Sequence, residues 1–186
     1  MKASENNTTA RPVKKASEDA LLSEPKGSVI ATEAIMPRRP IEGRTGGGSY
    51  FSISELTASA TALREGIDNR PSKCANQLLH VLVDQLLDPI REAWGRPIIV
   101  SSGYRCKQLN ALVGGVRHSH HILGCAADII SGTKADHRRL FKLIQQMQQE
   151  GKIRFTQLIW EGDGRWIHIS YVPSDLRCQV IGGCES

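Results

Sequence analysis

The chain has 186 residues, of which 40% are hydrophobic and only 5% aromatic, and it carries a formal net charge of +5 with a pI near 9.1. That length accommodates one ordinary domain plus a tail, and the absence of a continuous apolar run argues against membrane insertion and against a signal peptide. The positive balance suits an anionic partner, but no basic helix interleaved with aromatics is present, so nucleic acid is set aside.

Residues 1–48 show almost no apolar periodicity and finish in Gly46-Gly47-Gly48, so they are expected to be a disordered polar tail. The short Val29 to Met36 stretch is too small to form a core. The folded domain is expected over residues 49–173, followed by a C-terminal tail at 174–186. Ser52-Ile53-Ser54-Glu55 fits a capping box, with Leu56, Ala60 and Leu63 continuing one helical stripe to Gly66. A longer helix is expected from Ser72, with Leu78, Leu79, Leu82, Leu86 and Ile90 on its apolar face. Pro89 should kink it or start a second helix, and Gly95 should end it.

Pro97 to Ser101 reads as a buried strand, Arg105 to Leu112 as a short helix, and Ala126 to Ser131 as another strand. Ala135 to Gln149 is amphipathic, with Leu140, Phe141, Ile144 and Met147 inward. Gln157 to Trp160 and Trp166 to Tyr171 read as a hairpin around Glu161-Gly162-Asp163-Gly164. Together these elements predict an α+β fold, a small antiparallel sheet with helices packed on one face. Five cysteines, an odd number without a Cys-x-x-Cys pair, are read as free thiols, with Cys178 and Cys184 able to close a loop only after export.

Two clusters carry the chemistry. In Trp166-Ile167-His168-Ile169-Ser170, strand alternation sends Trp166, His168 and Ser170 to one face. In Ser119-His120-His121-Ile122-Leu123-Gly124-Cys125-Ala126-Ala127-Asp128, a loop runs into a strand on which Asp128 shares a face with Ala126. Gly124 and Ala126 are expected to keep the approach uncrowded. Adjacent strands could aim His168 and Asp128 at one point, with His121 entering from the loop. Two imidazoles and a carboxylate are the ligand set of a zinc ion that keeps an open position. Each residue also has a mundane reading, as a packed histidine or a turn-capping aspartate. The His118-Ser119-His120-His121 run offers three imidazoles, while His80 and His137 sit on helices and are given no catalytic role.

These residues resemble the zinc D-alanyl-D-alanine carboxypeptidase and L-alanyl-D-glutamate peptidase family, whose pattern Ser-x-His-x-x-Gly-x-Ala-x-Asp followed by Trp-x-His stands here intact. Pro97 to Arg105 and Leu109 to Gly115 are similar to the family's upstream segment, and Tyr50 to Leu56 and Gly66 to Asn69 to the start of its smaller, phage-endolysin-like members, so the likeness runs from about Tyr50 to Tyr171. The resemblance selects His121 over His118, implies Zn2+ held by His121, Asp128 and His168, and implies cleavage of bacterial peptidoglycan stem peptides. A zinc ion of this type lowers the pKa of water to about 7 and polarises the scissile carbonyl.

Arg105 resembles the family arginine that stabilises the oxyanion, and Ser119 the serine that lines the substrate site. Many relatives place a glutamate three residues before the second histidine, where this chain has Arg165. Glu161 is therefore the expected general base and Asp163 the alternative, both placed in the turn before the strand. A monomer made in the cytoplasm and acting on the wall after release is expected. The resemblance does not choose between the carboxypeptidase and endopeptidase cuts. The displaced base also admits a different class, a non-catalytic zinc-containing wall-binding or virion module of the same fold.

Overall fold

The computed structural model describes residues 49–183. The polar tail expected at residues 1–48 lies outside the described residues, as does Cys184. The single helical stripe expected after Ser52 is two short helices, α1 (Ile53–Thr57) and α2 (Ala60–Arg64). The reason is a second cap: Ser52 Oγ accepts from Glu55 N and Ser59 Oγ from Ala62 N, each at 3.1 Å. A serine whose side chain takes a backbone N–H starts a helix rather than continuing one. Leu63 consequently faces solvent at 85% exposure, and Ala62 packs inward.

Ser72 caps α3 (Lys73–Leu82), which buries Leu79 and Leu82. The kink expected at Pro89 takes the form of a π-helical turn over Val83–Leu87, leading into α4 (Asp88–Trp94). Pro89 has no N–H to donate, and the Asp88 N–H reaches back five residues to the Val83 carbonyl. Gly95, in the left-handed region, ends α4.

Strand β1 (Ile99–Ser102) corrects the expectation of a buried strand. It is an edge strand with Ile99 55% exposed, and only Ile98 before it is buried. Helix α5 (Lys107–Leu112) begins after its Cys106 cap, so Arg105 lies in the loop ahead of it. The segment expected to be a loop before the next strand contains a one-turn helix, α6 (His120–Leu123). Then come β2 (Ala126–Ile130), α7 (Lys134–Gln149) behind a Thr133/Asp136 capping box, β3 (Gln157–Glu161), β4 (Trp166–Ser170) and β5 (Gln179–Ile181).

The sheet order is β1-β2-β4-β3-β5. Its first four strands pair antiparallel, and β5 pairs parallel with β3. The stretch read as a C-terminal tail thus supplies an edge strand. Its three residues are all exposed, which is why no apolar alternation marked it. On one sheet face Ala127, Ile129, Leu158, Ile167 and Ile169 join Leu79, Leu82, Leu140, Phe141 and Ile144 of the helices in the core. Each fully buried side chain of this size contributes about 1.5–3 kcal/mol. Alternation sends Asp128, Ile159, Glu161, Trp166 and His168 to the opposite face, the one that carries the site. The fold is α+β with helices on one side of the sheet. Among the described residues, no helix is long and apolar enough to cross a membrane.

Candidate metal centre and active site

Strand register fixes the first two side chains. Asp128 on β2 stands directly opposite His168 on β4, and His168 Nδ1 lies 2.9 Å from Asp128 Oδ1. Helix α6 delivers the third. Ser119 caps that turn, accepting from His121 N at 3.3 Å, and Gly124 ends it at φ 76°. A Cβ on Gly124 would sit 2.4 Å from the Ala75 carbonyl oxygen. This glycine therefore lets α6 turn sharply and dock on α3, rather than clearing an approach to a metal as its position in the sequence had implied.

His121 is 1% exposed. Its Nδ1 is 2.7 Å from the Gly103 carbonyl oxygen, which can only accept, so Nδ1 carries the proton and Nε2 presents a lone pair. That Nε2 lies 3.1 Å from His168 Nδ1 and 3.2 Å from Asp128 Oδ1. The three donor atoms are thus mutually about 3 Å apart. A tetrahedral zinc with bonds of about 2.0–2.1 Å requires its ligands to be roughly 3.3 Å from one another. The triad fits a metal ion within a few tenths of an ångström, and the chemistry of the donor set agrees.

The electrostatics favour the ligating forms. Burial works against the Asp128 charge, but the imidazoles of His121 and His168 beside it prevail and hold its carboxyl well below the usual carboxylate range. Burial pushes the His121 imidazole down, with Asp128 pulling partly the other way. Burial also lowers His120, whose Nδ1 is 3.1 Å from Ser170 Oγ.

Arg105 stands beside the triad with its side chain 17% exposed and Nη2 3.6 Å from Asp128 Oδ2, too far for a hydrogen bond. Its Nε is buried and has no partner among the described residues. Burial lowers its pKa, while Asp128 and Glu161 oppose that shift, and a guanidinium stays charged. The loop that carries it is pinned at both ends. Arg105 N donates to the His121 carbonyl at 3.2 Å, and Asn69 Oδ1 accepts from Cys106 N at 2.8 Å. Asn69 Nδ2 donates to the carbonyls of Tyr104 and Thr57 at 3.1 and 3.0 Å.

Glu161 proves to be the last residue of β3, not a turn residue. It pairs with Trp166, while Ile159 pairs with His168, so Glu161 lies one pleat along the same face. It helps line a cleft of about 470 Å³ whose walls include the triad, Arg105 and Trp166. Asp163 is 91% exposed and 2.7 Å from Lys134 Nζ, outside that cleft. Arg165 also turns away, its Nε donating to the Gly162 carbonyl at 3.0 Å and its guanidinium lying over Trp166. Ser119 lines the cleft, and its capping contact leaves the O–H free to donate. His118 lines the cleft from an exposed position, His80 is exposed, and buried His137 meets the Gly164 carbonyl at 2.8 Å.

Residues 49–170, nearly the whole of the described domain, match the family model of peptidase M15. The chain belongs to the peptidase M15 family. As an M15 member it is, at family level, a metallopeptidase, and His121, Asp128 and His168 are its candidate metal ligands. No curated relative matches the chain. Two parts of this M15 site escaped the sequence reading. Asn69 stood in a quoted segment but carried no signal of its three hydrogen bonds, and the Gly103 carbonyl is backbone, which residue type cannot reveal.

Proposed function

We propose that the protein is a zinc-dependent peptidase that hydrolyses peptide bonds in bacterial peptidoglycan stem peptides, in the manner of a phage endolysin. The observation that carries this reading is the close triad of His121, Asp128 and His168 in a cleft shared with Arg105 and Glu161. When bound, zinc supplies Lewis acidity towards a carbonyl and acidifies water. Glu161 takes the proton of the attacking water and returns it to the leaving amine. Arg105, which lines the cleft with Nη2 3.6 Å from Asp128 Oδ2, receives the negative charge that develops on the carbonyl oxygen. Ser119 offers its O–H to the substrate backbone. The protein is made in the cytoplasm and meets its substrate in the wall after release.

The rival reading, a non-catalytic module, drew its force from Arg165 in place of a base. With Arg165 turned outward and Glu161 lining the cleft, that support weakens. Replacing Glu161 with Gln and Asp163 with Asn tests the reading. Glu161→Gln should lower turnover by about 10²–10⁴-fold with one zinc still bound, and Asp163→Asn should change it little. Equal turnover in Glu161→Gln and wild type would sink the assignment of the base.

A further inference from the structure

The cleft over the triad does not end at Arg105. A second groove of about 530 Å³ begins on the other side of that side chain, and the two share Arg105, Asp128 and Val113. Each is of the size that holds a ligand. The second groove runs between the α1–α2 connection and the start of α2, with Ser59 and Thr61, and strand β1, with Ser101 and Ser102. Beyond the shared Arg105 and Asp128, none of its lining residues is charged. Ser59 Oγ already accepts from Ala62 N and keeps a donor, while Ser101 Oγ donates to the Asp128 carbonyl and keeps acceptor capacity.

Two features say what such a groove takes. First, β1 pairs only with β2 among the described residues, leaving its outer row of backbone groups for an extended chain to use. Second, space for substrate continues on both sides of the triad, and a guanidinium, the side chain best shaped to grip a free α-carboxylate, does not close off either end. Arg105 is the only lysine or arginine lining either cavity, and it stands at their junction beside the triad, not at an end.

We infer that the second groove binds an uncharged peptide segment on one side of the scissile bond, laid along β1, and that the enzyme is an endopeptidase. This rests on the peptidase reading above. The test uses the full-length protein, zinc-loaded, with two substrates: a stem pentapeptide that a carboxypeptidase would shorten by one residue, and peptides bearing three neutral residues on each side of the same bonds. Thr61→Trp and Ser102→Trp each fill the groove from a different wall.

Internal cleavage is expected, with kcat/KM at least tenfold higher for the extended peptides. That gain should shrink in both tryptophan variants, each checked for wild-type zinc content and melting. Release of single terminal residues only, or a gain that survives both substitutions, would overturn the groove assignment while leaving a peptidase. No hydrolysis of either substrate by the zinc-loaded wild type would overturn the peptidase reading and this inference together.

Discussion

Gly103→Ala probes the joint between fold and metal site. A Cβ at this position would lie 2.1 Å from the Leu56 carbonyl oxygen, with the Leu56 carbonyl carbon and Cα at 2.8 and 2.9 Å. All three are backbone atoms, so no side chain can swing aside. Real contacts of this kind hardly fall below 3.0 Å, and the two segments must therefore separate by about 1 Å. The Gly103 carbonyl is the acceptor for His121 Nδ1 at 2.7 Å. Moved by about 1 Å, that contact leaves hydrogen-bonding range and strands a buried donor.

Overpacking costs about 1–3 kcal/mol and an unsatisfied buried donor about 1–3 kcal/mol more. The metal-free protein should lose roughly 2–6 kcal/mol, and zinc affinity should fall about 10–100-fold because the partner that orients His121 is gone. Chemical denaturation of the metal-free protein and zinc competition against a chromophoric chelator measure the two effects. Wild-type zinc affinity in Gly103→Ala would show that the Gly103 carbonyl does not orient His121.

Three further outcomes are expected. Arg105→Ala should lower kcat about 10²–10³-fold with zinc content unchanged; Arg105→Lys should recover only part, since a single ammonium cannot reproduce the guanidinium fork, and steady-state kinetics beside metal analysis checks both. Asn69→Ala removes two hydrogen bonds from the loop around Arg105 and a third that ties Asn69 to Thr57 of α1, and should lower kcat more than it raises KM, a split that a uniformly destabilised protein would not show.

Asp136 accepts from Arg96 and Arg139 at 2.7 Å each, and from Thr133. The Arg96 hydrogen bond, then those from Thr133, hold its carboxyl well below the usual range. Its stabilisation is therefore complete above the unfolded pKa near 3.9 and fades as pH falls below it. Thermal melts should find Asp136→Asn less stable than wild type at neutral pH, with the gap closing in acid. A gap that stays constant down to pH 2 would refute the pairing.

Elements with strong periodicity or unambiguous caps were legible from the residues alone. The alternation in Trp166 to Ser170 placed His168 on the face it occupies, and the stripe Leu140, Phe141, Ile144 and Met147 is buried as read. Asp128 meets His168 because the two stand directly opposite in the β2–β4 register, on the face that alternation assigns to both. What the sequence could not show depends on contacts remote in the chain. Whether Pro97 to Ser101 is central or an edge is decided by which strands pair with it, not by its own residues. Glu161 looked like a turn residue because the hairpin's last pair, Glu161 with Trp166, is set by the positive φ of Gly162, Asp163 and Gly164. The short α6 turn was hidden because four residues carry too little pattern to separate helix from loop. Three exposed residues likewise gave no sign that Gln179–Ile181 pairs with β3.

The most direct measurement is hydrolysis of purified peptidoglycan, with new amine and carboxyl termini identified by mass spectrometry, run with zinc, with chelator and with His168→Ala. One zinc per chain and new termini that disappear with chelator and with His168→Ala are the expected result. Zinc bound at one equivalent with no new termini from several wall types would contradict the peptidase and leave a metal-stabilised binding module in its place.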